Sequence, residues 1–225
     1  MQAAQDFFVA ALASPAGAEA RATFVKRGYD EEVQRELGLG FAPKGWENLV
    51  PHLMGRGIPL NLLREMGLAK VRQQSDGAYD AFRNRLMFPI RDPQGRVVAF
   101  GGRIVNPEDS PKYLNSCEHP VFQKRTILFG LDVAARPIQQ ANLAIVCEGY
   151  TDALACHRFG FLNAVATLGT AMSAEHARLL ERHTTRLLLL FDGDVAGIKA
   201  ARRAVGMTFE QNLDVTICVL PDGQD

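Results

Sequence analysis

Carboxylates at the ends of apolar runs are the residues of this 225-residue chain best suited to chemistry. Leu187-Leu188-Leu189-Leu190-Phe191 leads straight into Asp192-Gly193-Asp194, with Gly197 three residues on. Leu143 to Cys147 leads into Glu148-Gly149-Tyr150-Thr151-Asp152. Asp225 follows the run Val215 to Leu220 by five residues. A continuous apolar run closed by a Gly/Asp turn reads as a fully buried parallel strand. Open α/β sheets place ligand sites just beyond the carboxyl ends of such strands. Acids gathered on one sheet edge repel: at ~4 Å and an effective dielectric of ~20, each pair costs about 4 kcal/mol. Such an edge must bind cations, protonate some acids or hold them apart. Mg²⁺ is the usual solution, held by one or two carboxylates, waters and substrate phosphates. Two such ions about 3.5–4 Å apart stabilise both oxygens of an in-line phosphoryl displacement. A D-x-D turn alone also occurs in Asp-nucleophile phosphatases, nucleotide-sugar transferases and plain Asp-Gly turns. Glu148, on the same predicted sheet, is what favours metal chemistry. Asp152 lies four residues on, facing the same side of a helix that starts near Gly149.

The elements that must position these acids alternate in the last third of the chain. Strands are expected at Leu143–Cys147, Asn163–Ala166, Leu187–Phe191 and Val215–Leu220. Helices are expected at Ala153–Phe159, from a Ser173 cap to about His183, and from Ala196 to about Gln211. Strand–helix alternation at this spacing predicts a parallel sheet. Further upstream, Arg85–Arg91 and Arg96–Phe100 read as strands around an Asp92-Pro93-Gln94-Gly95 turn. Gly101-Gly102-Arg103 is expected to bend the backbone or let it approach something closely. Before Phe82 the signals are helical: Gln5–Leu12 broken by Ser14-Pro15, Glu19–Arg27 ended by Gly28, and a helix to Leu37 capped by Asp30. Gly38–Pro43 reads as an extended turn, and Trp46–Met54 and Pro59–Met66 as short helices.

Composition agrees with a folded globular chain: 47% hydrophobic residues and zero formal net charge. No apolar run approaches the ~18 residues of a membrane span, and Met1–Ala13 carries Asp6 and lacks the basic start of a signal peptide. Cys117, Cys147, Cys156 and Cys218 form no C-x-x-C pair, so they read as reduced, mostly buried thiols and not as a disulfide or zinc framework. Charge is polarised along the chain. Ala81–Gly130 holds eight Lys/Arg against four Asp/Glu, and Ala141–Asp225 holds seven against ten. A basic middle beside an acidic end suits a polyanion-plus-metal site.

These motifs carry a family resemblance. Glu148-Gly149-Tyr150-Thr151-Asp152, Asp192-Gly193-Asp194-Val195-Ala196-Gly197 and Leu220-Pro221-Asp222-Gly223-Gln224-Asp225 resemble the E-G-Y-x-D, D-G-D-x-A-G and L-P-x-G-x-D elements of the Toprim domain of bacterial DnaG-type primases. Arg83–Ile90, Phe100–Arg103 and Ser110–Ser116 are similar to the N-terminal subdomain of that family's RNA polymerase core. The resemblance implies an α/β protein: an α+β, basic subdomain over 1–140, then a Rossmann-like Toprim sheet with flanking helices over 141–225. It implies a DNA-dependent RNA polymerase making short RNA primers on single-stranded DNA for replication. Glu148, Asp192 and Asp194 would be catalytic. Glu148, Asp192, Asp194 and Asp225 would bind two or more Mg²⁺ or Mn²⁺ ions, with Asp152 in support. Arg83, Arg85, Arg103, Lys112, Tyr113 and Lys124 match positions lining the family's nucleotide and template groove. Arg forks suit phosphates, and Tyr offers a face for a base or ribose.

The implied partners are single-stranded template, NTPs, the nascent primer and, for the full-length protein through a domain outside these residues, a replicative helicase. The implied location is cytoplasmic and nucleoid-associated, with no membrane role. The family's zinc ribbon is missing from this stretch, so no zinc is expected. The family motif also carries a further acid two residues past Asp225, then more of the Toprim fold and a helical subdomain. The chain is therefore expected to be a truncated core, weak or inactive alone. Three other readings stay open on the residues: a Toprim topoisomerase or nuclease, a non-catalytic DNA- or nucleotide-binding module, and a D-x-D phosphatase.

Overall fold

The structure is a computed structural model, described over residues 1–72, 77–169, 171–191 and 212–221. The chain forms two compact units, residues 1–90 with 96–121 and residues 91–95 with 122–225. It is an α/β protein with a parallel sheet, as the sequence predicts.

The first unit opens with helices α1 (Gln2–Ala13), α2 (Ala18–Lys26) and α3 (Glu31–Leu37). The breaks fall where expected. Ser14 ends α1, Gly28 turns the chain after α2 at φ 80°, and the Asp30 side chain accepts the Val33 N–H to start α3. Strand β1 (Gly40–Ala42) follows, where sequence reading expects only a turn. Its three residues pair antiparallel with a strand some forty-five residues later, so tertiary pairing decides its conformation. Gly40 is required where α1 crosses, because a Cβ there would lie 2.6 Å from the Phe8 Cβ.

Helices α4 (Leu49–Gly55) and α5 (Leu60–Glu65) come next, then the short strands β2 (Ala69–Val71) and β3 (Ala78–Asp80), which no sequence signal announces. Helix α4 starts three residues later than expected, because its cap comes from elsewhere. The buried Asp80 carboxylate accepts the N–H groups of Asn48, Leu49 and Val50 at 2.7, 2.9 and 2.8 Å. Strands β4 (Arg85–Arg91), β5 (Val97–Ile104) and β6 (Tyr113–Asn115) complete a sheet ordered β1-β4-β5-β6. Gly101-Gly102-Arg103 continues β5 and pairs with β6, and the expected close approach is there: a Cβ at Gly102 would lie 3.1 Å from Phe82 Cδ1. Phe8, Phe82 and Phe100 fill the core behind this sheet, each worth ~1.5–3 kcal/mol of burial.

The second unit contains α6 (Leu131–Ala141), β7 (Ala144–Cys147), α7 (Tyr150–Arg158), β8 (Ala164–Ala166), α8 (Ala174–Glu181), β9 (Arg186–Phe191) and β10 (Asp214–Val219). Its sheet is parallel in the order β10-β9-β7-β8. Helix α6 escapes sequence reading because Pro137 lies inside it. Strand β9 is central but not fully buried. Leu187, Leu189 and Phe191 are buried, whereas Leu188 and Leu190 are only partly covered. All four cysteines are free thiols, and Cys147 alone among them is buried, against the expectation that most would be.

Candidate functional site

Glu148 occupies the turn between β7 and α7. The strand before it is wholly buried, so the carboxylate emerges from the core at the carboxyl end of the sheet. Two bonds fix the turn. The Gly149 N–H donates to Asp152 Oδ2 at 2.9 Å, closing the first turn of α7. Thr167, just past the neighbouring β8, donates its hydroxyl to the Glu148 carbonyl at 3.1 Å. Asp152 also accepts the Thr151 hydroxyl at 3.2 Å. Its carboxylate is thus committed to holding the backbone beside Glu148. Glu148 itself remains partly exposed.

Strand β9 runs parallel to β7, so both end on the same sheet edge. Asp192 and Asp194 follow β9 directly, but they and Asp225 lie outside the described residues. Among the described residues no three acidic, His or Cys side chains form a metal cluster. The donor chemistry nonetheless fits a hard divalent ion: a carboxylate projecting from a rigid buried strand, with its neighbouring acid already hydrogen-bonded. The nearest sulfur is occupied elsewhere. Cys147 Sγ faces Cys156 Sγ at 3.9 Å. The hydrogen bond with Cys156, together with burial, holds the Cys147 thiol above its usual range.

The basic residues of the first unit fall into separate groups. Arg83 stacks its guanidinium over Trp46, 4.1 Å from the ring centroid, with Tyr79 at 5.2 Å. It also donates to the Asp80 carbonyl at 2.7 Å. Arg85 is buried and points inward. Its stem lies against Gly102, where a Cβ would approach Arg85 Cδ to 3.0 Å, and it donates to the Pro111 carbonyl at 2.8 Å. Arg85 therefore fixes the backbone that carries Lys112 and Tyr113.

Those two residues meet Arg103 across the β5–β6 ladder, where Arg103 pairs with Tyr113. Arg103 donates to the Tyr113 hydroxyl and stands 4.9 Å from its ring centroid, with Lys112 Nζ at 5.7 Å. Tyr113 is 38% exposed, which rules out a purely core role. Sequence reading misses Arg27, whose guanidinium shares this group. Burial first, then the nearby Arg103 charge, lowers its pKa. Nothing in the sequence around Arg27 announces this, because the proximity is tertiary. Trp46 is missed as well. It is 56% exposed beside Arg83 and Tyr79, and the signal available is a lone Trp in a Gly- and Asn-flanked stretch.

Lys124 belongs to the second unit, in a single 3-10 turn (Lys124–Thr126). Its side chain is half-buried, and its carbonyl accepts a bond from His176 at 2.8 Å.

The chain matches two protein-family models: the DNA primase catalytic core, N-terminal domain, over residues 7–135, and a Toprim-like domain over residues 145–225. It is 44% identical to the DNA primase of Pseudomonas aeruginosa over 229 aligned residues, covering 100% of this chain and 34% of that protein. It is 38% identical to the DNA primase of Halalkalibacterium halodurans, covering 99% of this chain and 37% of that protein. The chain thus spans about a third of the length of the curated relatives it matches. Among solved structures, a DNA primase domain from Pseudomonas aeruginosa superposes with a TM-score of 0.91 at 44% identity, covering 100% of this chain and 71% of that one. A DnaG primase catalytic domain bound to single-stranded DNA superposes with a TM-score of 0.91 at 38% identity, covering 100% and 74%.

Proposed function

The chain belongs to the DnaG-type DNA primase family, and from that premise we propose that it is the catalytic-core portion of an enzyme that synthesises short RNA primers on single-stranded DNA. The observation that carries the proposal is the Glu148 turn, which ends a buried parallel strand and is braced from both sides by Asp152 and Thr167. The match over residues 7–135 to a primase domain favours this reading over a topoisomerase, a nuclease or a binding module.

In this reading Glu148, Asp192, Asp194 and Asp225 hold Mg²⁺ or Mn²⁺. Ions held there would supply positive charge to the triphosphate and to the pyrophosphate that leaves as a ribose 3′-hydroxyl bonds to the α-phosphate. Glu148 also serves to move the hydroxyl proton. Asp152 acts through Glu148, by fixing the turn. Arg103 and Lys112 supply positive charge to phosphates beside the exposed face of Tyr113, and Arg27 adds to that field. Arg83, with Trp46 and Tyr79, offers a cation backed by aromatic faces to a single strand. Arg85 contributes by holding the Pro111–Lys112 backbone, and Lys124 by meeting phosphates from the second unit. NTPs as substrates, a replicative helicase as partner and a cytoplasmic, nucleoid-associated location belong to the same reading. No helix among the described residues is long and apolar enough to cross a membrane.

The test is primer synthesis by a chimera in which this chain replaces the matching third of the Pseudomonas aeruginosa primase. The expected outcome is template-dependent RNA of primer length with Mg²⁺ or Mn²⁺. A folded chimera that binds single-stranded DNA yet makes no RNA under either metal contradicts the proposal. The isolated 225-residue chain is expected to make little or no primer.

A further inference from the structure

His176 is fully buried at the start of α8, yet every polar atom of its ring is engaged with a segment about fifty residues upstream or with its own cap. Its Nε2 lies 2.8 Å from the Lys124 carbonyl and 3.1 Å from the Ile127 carbonyl. Carbonyls only accept, so Nε2 carries the proton. Its Nδ1 accepts the Ser173 N–H at 3.2 Å, which fixes the neutral tautomer. Ser173 makes the second tie: its hydroxyl accepts the His176 N–H at 3.1 Å and donates to the Arg125 carbonyl at 2.8 Å. Glu175 adds an exposed pair with Arg125 at 4.0 Å. The backbone of Lys124, Arg125 and Ile127 is thereby fastened to one helix end through two side chains.

A turn of three residues has little power to hold itself, since it closes few internal bonds. Here it carries a lysine whose side chain is partly exposed. Packing alone needs no imidazole in a fully buried position. An apolar residue of similar volume would fill the space but remove the Nε2–H donor that both carbonyls share. We infer that His176 is a positioning residue that sets the place of Lys124 in nucleic-acid binding, with Ser173 as its second anchor. The inference rests on the reading of Lys124 given above.

Binding of a fluorescein-labelled 12-nucleotide single strand to the 225-residue chain, followed by anisotropy across a salt series well below the melting temperature, tests it. Lys124→Ala is expected to weaken binding about threefold to tenfold and to reduce the slope of log K against log salt by about 0.7, the loss of one phosphate contact. His176→Leu is expected to do the same, with no further loss when combined with Lys124→Ala. His176→Gln, whose amide can still donate to the two carbonyls, is expected to restore both affinity and slope. A His176→Leu chain that melts earlier but keeps the wild-type slope, or whose loss adds to that of Lys124→Ala, overturns the inference alone. A Lys124→Ala chain with wild-type affinity and slope overturns the reading of Lys124, and the inference with it. Should His176→Leu fail to fold, Ser173→Ala takes its place. A reduced slope then supports the inference, and an unchanged slope overturns it.

Discussion

Asp152 shows how one side chain can hold the turn next to it. Its carboxylate takes the Gly149 N–H, and Gly149 is joined directly to Glu148. Asp152→Ala should remove this cap at about 1 kcal/mol and lower the melting temperature, whereas Asp152→Asn, which can still accept the bond, should melt close to wild type. Thermal denaturation of the two variants side by side checks this. His176 offers a second residue-level test. Burial holds its pKa below the ordinary 6.5, although the two carbonyls and Glu175 pull the other way. A histidine depressed in the folded state binds its proton more readily when unfolded. Its stabilising share is therefore complete above about 6.5 and declines as pH falls from there towards the folded value. His119 is lowered in the same direction by burial and the chain's amino terminus. Asp132, raised by burial, acts in the opposite sense, its contribution growing as pH falls through its raised value. The drop in melting temperature between pH 7.5 and 5.5 should accordingly be smaller in His176→Gln than in wild type; equal drops would contradict it. At this scale the acids of the Glu148 turn are legible in the sequence, because strand end, glycine and helix cap are local. Arg27 and Trp46 are not, because what makes them notable is a neighbour distant in sequence.

Elements follow the same division between local and remote causes. Alternation of apolar runs and capped helices is enough to place β7, α7, β8, α8, β9 and β10. Strand β1 and helix α4 are misjudged from sequence, because a pairing partner at β4 and a capping carboxylate at Asp80 determine them. The Leu187–Phe191 run shows the limit of composition: five apolar residues in a row predict burial on both faces, yet one face is only partly covered. The Asp80 cap yields a test. Asp80→Ala leaves three N–H groups at the start of α4 without their acceptor, and should destabilise the first unit by about 2–4 kcal/mol. Chemical denaturation of wild type and variant measures that difference. A change below ~0.5 kcal/mol would mean that the cap is replaceable by water.

The whole molecule joins an excess of cations in the middle of the chain to an excess of acids at its end, around a net charge of zero. That division is what a polyanion-binding, metal-using protein needs, and the order of residues alone displays it. The fold and the family are equally legible there, through ordered motifs extending from Arg83 to Asp225. How Asp192, Asp194 and Asp225 stand around Glu148 lies outside the described residues. Their part in the site is therefore decided by chemistry performed on the protein. The most direct measurement is the rate of RNA primer synthesis by the chimeric primase carrying Glu148→Gln, alongside its affinity for single-stranded template. Gln keeps the shape of the side chain and removes its charge. The rate should fall about a hundredfold or more, with template affinity within about twofold of wild type. A variant that synthesises primer at the wild-type rate would contradict the assignment of Glu148 as the acid on which this site is built.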